Sequence, residues 1–187
     1  MIPPLFRRSP RPTIAALYGA VVAQARRPIF YQDYAVADTV LGRFDLILLH
    51  AAVLLRRLRE GDGKMQGLAQ GVFDAFCRDI DHNLREMGIS DQGVPRQMKR
   101  VGEAFYGRAR AYDAALAQPD DGLLTEALVR NVYAVTAEPQ VAAVRLAAYV
   151  RRAVDALRGQ DLAALARGEV RFPEPEVLKI AAELTHE

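Results

Sequence analysis

The 187-residue chain has no tryptophan, one cysteine, three histidines and only three lysines among its 25 basic residues. The single cysteine, Cys77, excludes an intrachain disulfide framework and points to a reducing compartment. Three histidines, one of them His186 at the terminus, leave little material for acid–base chemistry near neutral pH. There is no glycine-rich phosphate loop, no Gly-x-Ser-x-Gly elbow, no Cys-x-x-Cys pair and no spaced Ser–His–Asp set. No run reaches the roughly 18 apolar residues of a membrane-crossing helix. The longest, Leu46 to Leu55, fits a buried core helix instead. These absences weigh against an enzyme, and no metal or cofactor is expected.

What is present is a chain with 51% apolar and 26% charged residues, enough for one well-filled domain and incompatible with disorder throughout. The formal net charge is +2. Arg7, Arg8 and Arg11 contribute three positive charges to the first twelve residues, so the remainder is close to neutral. That balance argues against a nucleic-acid binder, and no sequence-specific DNA partner is expected. Residues 1–12 also hold four of the ten prolines and read as a flexible basic arm. The basic start, the apolar stretch from Thr13 to Ala23 and Ala23-Gln24-Ala25 imitate a secretory signal. Tyr18, Gly19 and Gln24 interrupt that stretch, and an amphipathic first helix is the better reading.

Residues 13–187 read as one all-α, compact multi-helix domain. Asp38 or Thr39 can cap a helix that runs to about Arg59 and stops at Gly61-Asp62-Gly63. A second helix runs from about Met65 to Met87, with Gly88 in the stop position. After the loop 88–93, Pro95 suits a helix start, and Met98, Val101, Phe105, Ala109, Tyr112 and Leu116 form an apolar stripe at helical spacing. Pro119-Asp120 opens a helix toward Val135, Pro139 opens one toward Leu157, Asp161 opens a short one, and a last helix follows Pro173 or Pro175. No alternating strand pattern occurs, and the short connections favour antiparallel neighbours.

Few side chains suggest chemistry. His50, in the apolar spine, reads as a neutral, hydrogen-bonded core histidine. Cys77 reads as a small buried hydrophobe. Asp79 and His82 have the three-residue spacing of helical-bundle metal ligands, but the second acid–histidine pair that a di-iron site needs is missing. The segment from Asp74 to Asp91 carries Asp74, Asp79, Asp81, Glu86 and Asp91 against Arg78 and Arg85, a balance of −3. The segment from Arg96 to Arg110 carries Arg96, Lys99, Arg100, Arg108 and Arg110 against Glu103, a balance of +4. Two readings stand. The basic face docks an acidic partner, or the two helices fold side by side and neutralise each other. Gly107, next to Tyr106, would let another backbone come close.

Several blocks resemble the ubiquinol–cytochrome c chaperone family: Tyr18 to Arg26, Asp38 to Asp45 with its continuation to Arg57, and above all Phe73 to Arg108. The last includes Asp81-His82-Asn83-Leu84-Arg85-Glu86-Met87-Gly88, Val94-Pro95, Met98-Lys99 and Ala104-Phe105-Tyr106-Gly107-Arg108. Arg130-Asn131-Val132-Tyr133 fits as well. The resemblance implies an assembly factor for ubiquinol–cytochrome c reductase that binds newly made cytochrome b. It also implies contact with the ribosome near its tunnel exit and a small partner chaperone. A bacterial member would work peripherally at the cytoplasmic face of the inner membrane, as mitochondrial relatives do on the matrix side. On this reading Asp81, Arg85, Glu86, Lys99, Tyr106 and Arg108 contact client or partner, and Arg7, Arg8 and Arg11 touch anionic lipid or ribosomal RNA. Two other readings compete. One is a ligand-sensing, all-helical transcription regulator, which lacks a basic recognition helix near the amino terminus. The other is a metal-dependent helical oxidase.

Overall fold

The computed structural model describes residues 11–136 and 138–176. Among them are eight helical segments and no strand: α1 (Arg11–Ala25), α2 (Ile29–Gln32), α3 (Val40–Arg59), α4 (Gly63–Glu86), α5 (Val94–Leu116), α6 (Gly122–Asn131), α7 (Pro139–Arg158) and α8 (Leu162–Leu165). The all-α expectation holds. α2 is a single turn, too short to act as a recognition helix. Arg7 and Arg8, and the helix expected after Pro173 or Pro175 beyond Glu176, lie outside the described residues. Arg11 and Pro12, expected in the arm, instead form the first turn of α1, where proline is tolerated because the first amides of a helix need no partner.

α3 is the spine. Thr39 caps it by accepting a hydrogen bond from the Gly42 amide at 3.1 Å, and every residue from Asp45 to Leu55 is buried. α4 leaves through a second cap, with Asp62 accepting from the amides of Lys64 and Met65 at 3.0 and 3.1 Å. It ends where Gly88, at φ +82°, turns the chain in the left-handed region that glycine enters without strain. α6 stops at Asn131, four residues short of the expected Val135. Beyond it the Tyr133 hydroxyl leaves the helical path to donate to the Tyr34 carbonyl at 2.7 Å, which ties the α6–α7 connection to the segment before α3.

The core is organised around His50. Its Nδ1 lies 2.7 Å from the Leu46 carbonyl, which can only accept, so Nδ1 carries the proton. Nε2 therefore accepts from the Tyr149 hydroxyl at 2.9 Å. Gln24 in turn donates to that hydroxyl at 2.9 Å and to the Pro173 carbonyl at 3.0 Å. Phe30 and Phe172 close edge-on over the ring. Burial disfavours the imidazolium and lowers the His50 pKa to about 4. The network joins α1, α3, α7 and the carboxy-terminal segment through one neutral histidine, as expected for a core residue.

α1 differs from expectation. Its outer side is not polar: Ala15, Gly19 and Ala23 are exposed, and no charge occurs between Arg11 and Arg26. Its inner side buries Leu17, Val21, Gln24 and Ala25.

Candidate functional site

The arm formed by the distal half of α4 and the first half of α5 contains most of the residues singled out in the sequence. α4 buries Met65, Leu68, Ala69, Val72 and Phe76 and nothing after them. α5 buries Val94, then nothing until Phe105. About 15 Å of α4 therefore runs on past its last buried residue. Cys77, Ile80 and Val101 are only partly buried along the inner side. Cys77 is thus a half-buried thiol, its pKa raised first by burial.

An aromatic chain roots the arm in the body. Phe44 of α3 meets Phe76 at 5.9 Å between ring centroids, Phe76 meets Phe105 at 5.2 Å, and Phe73 meets Phe105 at 4.9 Å and Tyr106 at 5.2 Å. Tyr106 ends this chain with half its surface exposed. It forms one wall of a groove of about 280 Å³ with Leu55, Ala69 and Phe73, rimmed by Arg59, Gln66 and Gln70. An aromatic ring supported on one side and free on the other is a rigid, amphipathic contact. Gly107 beside it has no neighbouring atom within 4 Å of where a Cβ would stand, so the surface there is open.

The six nominated residues separate into four groups. Asp81 and Arg85 come together on α4, Nε to Oδ2 at 2.8 Å, and Arg85 also pairs with Asp91 in the loop. Glu86 follows Arg85 directly and lies 3.1 Å from Nε2 of His82, one turn back. Lys99 stands apart on α5, 3.9 Å from Glu103. Tyr106 sits at the groove. Arg108 faces inward and forms an ion pair with the buried Asp45 of α3, its guanidinium stacked 5.9 Å from the Phe44 ring centroid. Burial raises the Asp45 pKa, against the opposing pull of Arg108. Arg108 therefore fastens α5 to α3. Sequence reasoning missed Asp45 as its partner. The available signal was a lone acid inside an apolar helix, a residue that needs a cation.

Mutual neutralisation of the two arm helices, the alternative drawn from the sequence, is not made by direct ion pairs. Among the described residues no ion pair joins α4 to α5; the arm's pairs run within α4, from α4 to the loop, or within α5. Arg96 and Arg100 are exposed beside Lys99, and Arg110 is exposed about three turns further along α5. α5 opens with no acidic residue in its first turn and no side-chain cap, so its positive end carries added positive charge with no internal compensation. Asp79 is occupied differently, accepting a hydrogen bond from the Tyr18 hydroxyl at 2.7 Å. Among the described residues no group of three or more His, Cys, Asp or Glu side chains gathers as a metal ligand set, and no helix is long and apolar enough to cross a membrane.

A family model described as Ubiquinol-cytochrome C chaperone matches residues 32–172. Of the blocks that carry the resemblance, only Tyr18 to Arg26 falls outside that span. Among solved structures, the chain is similar to one described as the crystal structure of the Cbp3 homolog from Brucella abortus. The two are 39% identical, with a TM-score of 0.80, over 88% of this chain and 90% of that one. No curated protein matches.

Proposed function

The chain belongs to the ubiquinol-cytochrome C chaperone family, implicated in assembly of complex III, and we propose that it acts there by binding newly made cytochrome b. The observation that carries this reading is the arm: an extended helical hairpin with an exposed aromatic ring at its root and three exposed arginines, Arg96, Arg100 and Arg110, that form no ion pair among the described residues. A holding protein needs exposed, pre-organised contact area with charged margins, and needs no cofactor. Tyr106 and its groove supply the apolar contact. Asp81, Arg85 and Glu86 on α4 and Lys99 on α5 supply the charged margins. Arg108 serves this surface by holding α5 in place. Peripheral work at the cytoplasmic face of the inner membrane, with the ribosome and a small partner nearby, belongs to the same reading.

The test is a pull-down of the tagged chain from gently crosslinked cells, read by mass spectrometry. Cytochrome b is expected to be enriched above other membrane proteins, and Tyr106→Ser is expected to reduce that enrichment severalfold while the protein stays folded. Cytochrome b at background with the unaltered chain would overturn the reading.

A further inference from the structure

α1 is a surface helix with no polar outer face. Ala15, Gly19 and Ala23 recur there at steps of four and are exposed, whereas a helix apolar all round normally belongs inside. Beside it runs α4, and between the two lies a groove of about 730 Å³ floored by Ile14, Tyr18, Gly71 and Ala75. At Gly71 the helices touch so closely that a Cβ would lie 2.3 Å from Ile14 Cδ1. Gly19 and Gly67, by contrast, face open space, with no atom within 4 Å of a Cβ position.

The rim is charged. Arg11 and Arg78 flank Asp74, which accepts a hydrogen bond from Gln70 at 2.8 Å. Neither arginine has an ion-pair partner among the described residues. Ile14 packs on Gly71 and Tyr18 reaches Asp79, so α1 and α4 run parallel and the two arginines stand at opposite ends of the groove, roughly 15 Å apart along it.

The geometry points to a docking groove for an apolar helix of another polypeptide chain, bracketed by acidic residues two to three turns apart. Small residues four apart on both walls allow close backbone approach, and two separated cations match two acids along a helix better than the single headgroup of an amphiphile. The inference rests on the reading of the chain as a holding chaperone. It names a second contact on that chaperone, and its α1 wall lies outside residues 32–172.

The probe is a fluorescein-labelled Ala/Leu helical peptide with two glutamates about ten residues apart, compared by anisotropy with the same peptide carrying lysines there. The glutamate peptide is expected to bind at least about tenfold more tightly, and less so at high salt. Gly19→Leu places a side chain in open space and replaces a poor helix former. It should fold normally and lose the peptide, and Arg11→Glu with Arg78→Glu should reverse the charge preference. Equal binding of both peptides, or undiminished binding by Gly19→Leu, overturns the proposal. So does binding that appears only after residues 1–10 are removed, since the chain's own start would then be the occupant. Dodecanoate binding, below its micelle concentration, without glutamate-peptide binding overturns it in favour of an amphiphile. Cytochrome b capture is read separately: capture without peptide binding sinks the groove alone, and peptide binding without capture sinks the client reading alone.

Discussion

Up to Phe76, α4 buries a side chain fully in the core at nearly every turn; its last ten residues bury none fully, and only Cys77 and Ile80 among them pack partly against the core. α3 is the opposite extreme, buried on all sides from Asp45 to Leu55. The helical geometry is the same in both regions, yet they differ in what holds them. The body is held by packing and by polar groups that are paired, as at His50, Tyr149 and Gln24. The arm is held at its root by the aromatic chain and by Arg108, midway by Cys77, Ile80, Val101 and the Tyr18–Asp79 hydrogen bond, and at its tip by exposed ion pairs within α4 and to the loop, which contribute only a few tenths of a kcal/mol each. Substitutions in the body should therefore cost stability, and substitutions far out on the arm should cost recognition.

The largest effect is expected at Leu54, fully buried in α3. Leu54→Ala removes packed methyl groups and leaves a cavity, a loss of about 3–4 kcal/mol. Urea denaturation should read it directly. Cytochrome b capture per folded molecule should stay at its original level. A capture loss beyond the folded fraction would mean that body and arm are not separable.

Arg108→Ala comes next and probes the joint between them. It strands the Asp45 carboxylate in an apolar site, at about 2–3 kcal/mol, below the range for a fully buried pair because the arginine side chain retains 21% exposure. Asp45 then gains by taking up a proton. Its folded pKa is raised, so the deficit should shrink as pH falls. The paired variant Asp45→Leu, Arg108→Met should recover most of the loss in the same denaturation assay, which an arginine acting only on a client would not allow.

The pH dependence of the body has the opposite sign. His50 binds a proton near its ordinary pKa of about 6.5 when unfolded and only near about 4 when folded. Between those values the unfolded chain holds more protons, so stability falls as pH drops through this window, by about 1.5 kcal/mol from pH 6.5 to 5. Thermal melts across that range should show the decline, and His50→Gln should flatten it. A slope unchanged by His50→Gln would assign the decline to other groups.

The pattern of what could be read from the sequence follows the same division. Helix limits were legible wherever capping chemistry sets them, as at Thr39, Gly88 and Pro139, because caps act within a few residues. The α6 end was not, because the Tyr133–Tyr34 bond that diverts the chain spans 99 residues. The polar outer face expected of α1 failed for a plain reason. Alanine and glycine satisfy helical spacing without declaring which side meets water. At the site, the Arg85–Asp81 pair follows from a four-residue spacing. The inward turn of Arg108 does not, since on α5 it shares the charge of Lys99 and Arg100 and only the position of Asp45 sets it apart. Charge balance between α4 and α5 suggested mutual neutralisation, but composition carries no direction, and the two sets of charges do not meet.

The smallest effect on stability should accompany the largest on recognition, and it is expected from reversing Lys99 and Arg100 to glutamate. Both are exposed, and the contact with Glu103 at 3.9 Å is too long and too solvated to matter for folding. Both positions lie beyond the first turn of α5, and the new glutamates face Glu103 at three- and four-residue spacing, a small like-charge cost. Stability should thus stay within about 0.5 kcal/mol of the original, with the sign against the variant. On the proposed reading cytochrome b capture should fall at least about tenfold, because the charge offered to a client's acidic groups has been inverted. A variant that melts early would make the arm a stabilising element like the body. A variant that melts normally and still captures would move recognition off α5 altogether and leave the Tyr106 groove to account for it.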